Sequence, residues 1–170
     1  MINLPAHLAL FPYEPVSRPR RNLNAVLLDS GAIAESDLHR AECIAARATA
    51  RFEDVLLTHR FVTPSDLLRA QSKVHGAQSV PFSELIPDPR ILSQFGATKA
   101  IRHNLLPLKV QGAATLVATP YPSAYAANKS DLERVLGQTR MVLASAAQLR
   151  HVLRSSAAQH LVDQAEPRVR

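Results

Sequence analysis

Apolar positions recur with a helical period over the first half of the chain and with a strand-like one after His75. Leu23, Val26, Leu27 and Ser30 fall on one helix face; Leu38, Ala41, Ala45 and Ala46 fall on another. The pattern then repeats. Asn22-Leu23-Asn24-Ala25-Val26-Leu27-Leu28 returns as Arg51-Phe52-Glu53-Asp54-Val55-Leu56-Leu57, and each copy continues into Ser-Asp-Leu, ending at Leu38 and Leu67. The copies are offset by 29 residues (51 less 22), with apolar matches at Leu23/Phe52, Val26/Val55, Leu27/Leu56, Leu28/Leu57, Ile33/Val62 and Leu38/Leu67. Gly31 suits the position just past a helix end, where φ is positive. Thr63-Pro64-Ser65-Asp66 has a capping hydroxyl, a proline for the first turn and an acid to answer the cap. Each copy therefore predicts helix, bend, helix. One such unit is too short to bury its apolar face; two packed together could bury both faces, or grip one two-fold ligand between them.

Beyond His75, Gln78 to Phe82 reads as a short strand or extended link, and Asp88-Pro89 opens a helix carrying Leu92 and Phe95. Leu105 to Val110, Gly112, then Ala114 to Thr119 predicts two strands joined by a turn. Ser130-Asp131-Leu132-Glu133 has the form of a capping box, with Gly137 as the stop. Arg140 to Leu143 reads as a third strand, and Ser145 to Gln148 as the start of a last helix through Leu149 and Leu153. The expected fold class is α+β: an N-terminal bundle of two tandem helix-bend-helix motifs, then a small α/β lobe with a short sheet. Residues 1–20, with four prolines, read as an extended arm packed through Leu8, Leu10, Phe11 and Tyr13. The expected divisions are a helical subdomain over 21–77, an α/β subdomain over 78–155, and a linker or tail over 156–170.

Composition narrows the function. With 46% hydrophobic and 20% charged residues among 170, most of the chain should be globular. The net charge of +6 suggests nucleic acid until it is located. Between Arg21 and His75 seven basic residues face seven acidic ones, and the downstream excess is scattered without a basic stripe interleaved with aromatics. Nucleic-acid binding is not expected. No apolar run has the length of a membrane span, so direct insertion is not expected either, and the single cysteine fits a reducing, cytoplasmic setting. Cys43 reads as core on an apolar helix face. The seven histidines have no metal-ligand spacing, no catalytic triad order is present, and the five glycines form no phosphate loop. Neither catalysis nor a metal is expected. Taken singly, Leu27, Leu28, Leu56 and Leu57 are helix-packing residues by spacing, and Arg51 is a solvated or salt-bridged surface arginine.

The doubled motif followed by an α/β lobe resembles the MshEN domain, the N-terminal domain of type II secretion and type IV pilus ATPases, also found on membrane glycosyltransferases. The family motif runs Arg-Leu-Gly, a Leu-Val pair, Gly, a branched apolar residue, spaced leucines and a closing Gln, in two tandem copies. The segment from Leu105 to Pro120 is similar to the family's second lobe. The resemblance implies binding of cyclic di-GMP and control of a fused or docked effector, either an exopolysaccharide glycosyltransferase or a secretion or pilus ATPase, with the inner membrane reached only through that partner. The ligand-binding residues it implies are Arg21, Asn22, Leu23, Leu27, Leu28, Gly31, Ile33 and Leu38 in the first copy, and Arg51, Phe52, Leu56, Leu57, Val62 and Leu67 in the second. In this role arginine stacks on or bonds guanine, leucines floor the bases, and glycine admits phosphate to the backbone.

The chain also departs from the motif. Asn22 holds the first arginine position, with Arg21 beside it. Asn24 and Glu53 hold the first glycine, Arg60 the second glycine of copy two, Glu42 and Gln71 the last leucines, and Ala45 and Val74 the closing glutamines. An arginine-guanine contact contributes about 1–3 kcal/mol, so these changes bear directly on affinity. They leave a second expectation open: a protein-docking module with no small ligand.

Overall fold

The computed structural model describes residues 22–165. The proline-rich arm and Arg21 lie outside them. The first copy forms α1 (Leu23–Asp29) and α2 (Glu35–Ala48), and the second forms α3 (Phe52–Thr58) and α4 (Pro64–His75). A one-turn 3-10 helix, Phe82–Glu84, precedes α5 (Pro89–Phe95) and α6 (Ala97–His103). There follow β1 (Leu106–Gln111), β2 (Ala114–Thr119), α7 (Pro122–Leu136), β3 (Thr139–Leu143) and α8 (Ala146–Ala165). The expected α+β arrangement is present.

Two separate apolar cores correspond to the two halves. In the helical half Val26, Leu27, Ile33, Leu38 and Ala41 are buried together with their repeat partners Val55, Leu56, Val62, Leu67 and Ala70. The packing is crosswise: α1 lies against α4, and α2 against α3. Each copy thus covers the other's apolar stripe. Leu27 and Leu56 are wholly closed to solvent, each contributing about 1.5–3 kcal/mol of burial.

The sheet has the order β1-β2-β3, with β1 and β2 antiparallel and β2 and β3 parallel. The parallel step needs a crossover, and α7 supplies it. Central β2 is buried along its whole length. Pro107, which cannot donate to a ladder, sits in edge strand β1 beside a register shift. At the opposite edge Ser79 bridges Leu143 in parallel, so the link leaving α4 adds a short fourth rung. Leu92, Phe95, Leu132, Leu149 and Leu153 close the second core around the strands.

Several local expectations need correction. Ser130 to Glu133 does not start a helix. α7 begins eight residues earlier, at Pro122; Leu132 is buried in the second core, while the polar residues around it form a solvated face carrying the ion pairs Arg134–Asp131 (3.3 Å) and Lys129–Glu133 (3.9 Å). α6, which the sequence pattern did not predict, follows Gly96. Cys43 is exposed rather than core, its sulfur 3.7 Å from His39 Nε2. The buried stripe of α2 is narrow, Leu38 and Ala41, and leaves Cys43 and Ala46 outside it. Residues 156–165, read as linker or tail, are helical.

Candidate functional site

The two copies agree in backbone detail as well as in sequence. Their first helices start after Asn22 (φ −64°, ψ 142°) and Arg51 (φ −64°, ψ 135°). In the bends, the Gly31 N–H donates to the Leu28 carbonyl (2.9 Å) and the Ala32 N–H to that of Leu27 (3.0 Å). The counterparts are Arg60 to Leu57 (3.1 Å) and Phe61 to Leu56 (2.9 Å). Gly31 and Arg60 both carry positive φ.

Burial divides the residues that the motif singled out. Leu27, Ile33, Leu38, Leu56, Val62 and Leu67 are buried in the helical core. Leu23, Leu28, Phe52 and Leu57 are half-buried against that core, and Asn22, Gly31 and Arg51 are exposed. Arg21 lies outside the described residues. Asn22 spends its side-chain oxygen on the Asn24 N–H (3.2 Å), as an N-cap does. The Asn24 amide in turn donates to Glu42 (2.7 Å), tying α1 to α2.

The bends border three adjoining depressions. The first, about 180 Å³, lies between the Ser30–Gly31 bend and α4, where Asp66, Arg69 and Lys73 line it. It shares Ala32 and Asp66 with a second, about 480 Å³, bounded by Leu57, Arg60, Phe61 and Pro64. Leu57 and Pro64 also border a third, about 10 Å³, at the seam between the lobes. Along this surface three cations, Arg60, Arg69 and Lys73, face two acids, Asp66 and Glu53, although Asp66 holds Arg69 at 3.4 Å and bonds the capping Thr63 hydroxyl at 2.6 Å. The excess positive charge favours an anionic ligand.

At the seam the second copy meets the α/β lobe through three groups. The Arg51 guanidinium lies 4.3 Å from the Tyr121 ring centroid, a cation-π distance. The Tyr121 hydroxyl donates to Asp54 Oδ1 at 2.5 Å. Buried Gln71 donates its amide to the Pro120 carbonyl at 3.2 Å. Burial, reinforced by the hydrogen bond to Asp54 and its charge, pushes the Tyr121 phenol from 10.0 up to about 12. Sequence patterning missed Tyr121, Asp54, Arg69 and Lys73. The one local signal was Pro120-Tyr121-Pro122, an aromatic residue fixed between prolines at the end of a strand.

Among the described residues no three or more His, Cys, Asp and Glu side chains gather as a metal site, and no helix is long and apolar enough to cross a membrane.

The profile of the MshEN domain matches residues 75–162, the α/β lobe with the end of α4. Two solved structures share the fold. The structure of MshE with cdg superposes with a TM-score of 0.67 at 19% identity, covering 79% of this chain and 98% of that one. The N-terminal domain of XpsE gives 0.58 at 15% identity, covering 78% and 91%. No curated protein matches.

Proposed function

The chain belongs to the MshEN family, and from that premise we propose that it is a regulatory input domain that binds cyclic di-GMP on the helical half. The observation that carries this is the placement of both motif bends on one run of depressions, with cations for a dianion beside half-buried apolar side chains for the bases. The solved likeness of MshE with cdg supports the same reading. Arg60, Arg69 and Lys73 would hold phosphate, and Leu57 and Phe61 would face a base. Gly31, whose outward side opens on free space, would admit phosphate to the backbone. Leu28 is the first copy's counterpart of Leu57 at the 29-residue offset. Arg21 and Arg51 are the arginines assigned to guanine. The buried motif leucines then act from beneath, by fixing the bends.

Binding acts on an effector only through unequal affinity for two of its states. That effector, fused or docked, is a secretion or pilus ATPase or an exopolysaccharide glycosyltransferase.

Calorimetry with cyclic di-GMP tests the ligand. Saturable binding, weakened about tenfold or more by Lys73→Ala with Arg60→Ala, supports it. A flat titration at about 1 mM ligand refutes it and leaves the second reading, a docking module without a small ligand. One observation favours that second reading: the side chains of Asn24, Glu42, Arg51 and Gln71 already have partners within the chain.

A further inference from the structure

We infer that Tyr121 is a resident occupant of the second motif's half-site, so that stacking of a base on the Arg51 face it covers and docking of the α/β lobe exclude each other. This rests on the nucleotide reading above and adds to it a way for the ligand to reach the second lobe.

Arg51 is the arginine that the second motif offers to a guanine, and its guanidinium already faces an aromatic ring 4.3 Å away. Tyr121 is 3% exposed and anchored by its hydroxyl to Asp54, one turn from Arg51 on the same helix. Gln71 holds the neighbouring Pro120 carbonyl. Behind the ring, among Glu53, Leu57, Gln71 and Tyr121, the seam leaves a gap of only about 10 Å³, about the room of one water, so the ring has nowhere to retreat while the lobes stay docked. A base can stack on the guanidinium face that Tyr121 covers only by displacing the tyrosine; the rest of Arg51 is exposed.

The repeat supplies an internal control. At the 29-residue offset, Arg51, Asp54 and Gln71 correspond to Asn22, Ala25 and Glu42. None of these three can repeat its counterpart's role. Asn22 carries no charge for an aromatic face, Ala25 has no acceptor for a phenol, and Glu42 as a carboxylate has no donor for a carbonyl. The anchoring groups therefore belong to the second copy alone. Tyr121 lies between β2 and α7, both built into the α/β core, so moving it strains the seam directly.

Calorimetry with cyclic di-GMP on the full chain tests this, using Tyr121→Ala and Tyr121→Phe. Competition predicts that Tyr121→Ala binds about tenfold tighter than the parent. Tyr121→Phe, which keeps the ring but drops the Asp54 bond, should bind a few-fold tighter, and adding Arg51→Ala should cancel the gain. If Tyr121→Ala does not fold, the Phe variant decides. Parent and variants binding equally well would overturn the inference and leave the nucleotide reading standing. No binding by any of them at about 1 mM would overturn both.

Discussion

Gly31 and Arg60 stand at the same place in the two motif copies and share one left-handed backbone, φ 70° in the first and 57° in the second. Glycine adopts that region freely, whereas a side chain there costs about 1–2 kcal/mol. The second copy thus keeps the bend geometry with an arginine in place of glycine, held by the Arg60-to-Leu57 and Phe61-to-Leu56 hydrogen bonds and by burial of Val62. Two opposite effects are expected in chemical denaturation. Gly31→Ala should lower stability by about 1 kcal/mol, and Arg60→Gly should raise it by a similar amount.

Gln71 and Glu42 form another repeat pair, one buried at the seam and one exposed. Gln71→Ala removes the donor that satisfies the Pro120 carbonyl and should cost about 1–3 kcal/mol. Glu42→Ala should stay within about 0.5 kcal/mol. Urea titrations of both variants check the contrast; equal losses would remove the case for a specialised second copy.

The Tyr121 phenol has its pKa raised in the folded state, from 10.0 to about 12. Its neutral form therefore stabilises the fold fully below about pH 10, and that contribution disappears as pH climbs through about 12. Relative to Tyr121→Phe, the parent should lose stability across this window. Denaturation of the two proteins at stepped alkaline pH measures it, and a constant difference would contradict the buried, Asp54-bonded phenol.

Cys43 is exposed on α2 beside His39. Its thiol should react with a maleimide in the native protein about as fast as in the urea-unfolded chain. Strong protection would return it to the core.

The boundaries that were legible in the sequence rest on local chemistry. Gly31, Thr63-Pro64 and Asp88-Pro89 fix a bend and two helix starts through groups within a few residues of each other, and the structure keeps all three. The start of α7 was not legible because two local signals competed. Pro122 at the first turn prevailed over the Ser130 box, whose polar residues serve a solvated face. The seam was illegible for a different reason. The Tyr121–Asp54 and Gln71–Pro120 bonds join residues 67 and 49 positions apart, and hydrophobic periodicity records neither. Arg51 is exposed, as a surface arginine taken singly would be, but nothing in the sequence gave a sign of the ring that packs against it.

The crosswise contacts of α1 with α4 and of α2 with α3 have one further consequence. Neither motif has an interior by itself; the interior exists only between them. A change at one bend therefore displaces the wall of the other, and the duplicated segments answer a perturbation as one mechanical body, however far their sequences drift apart.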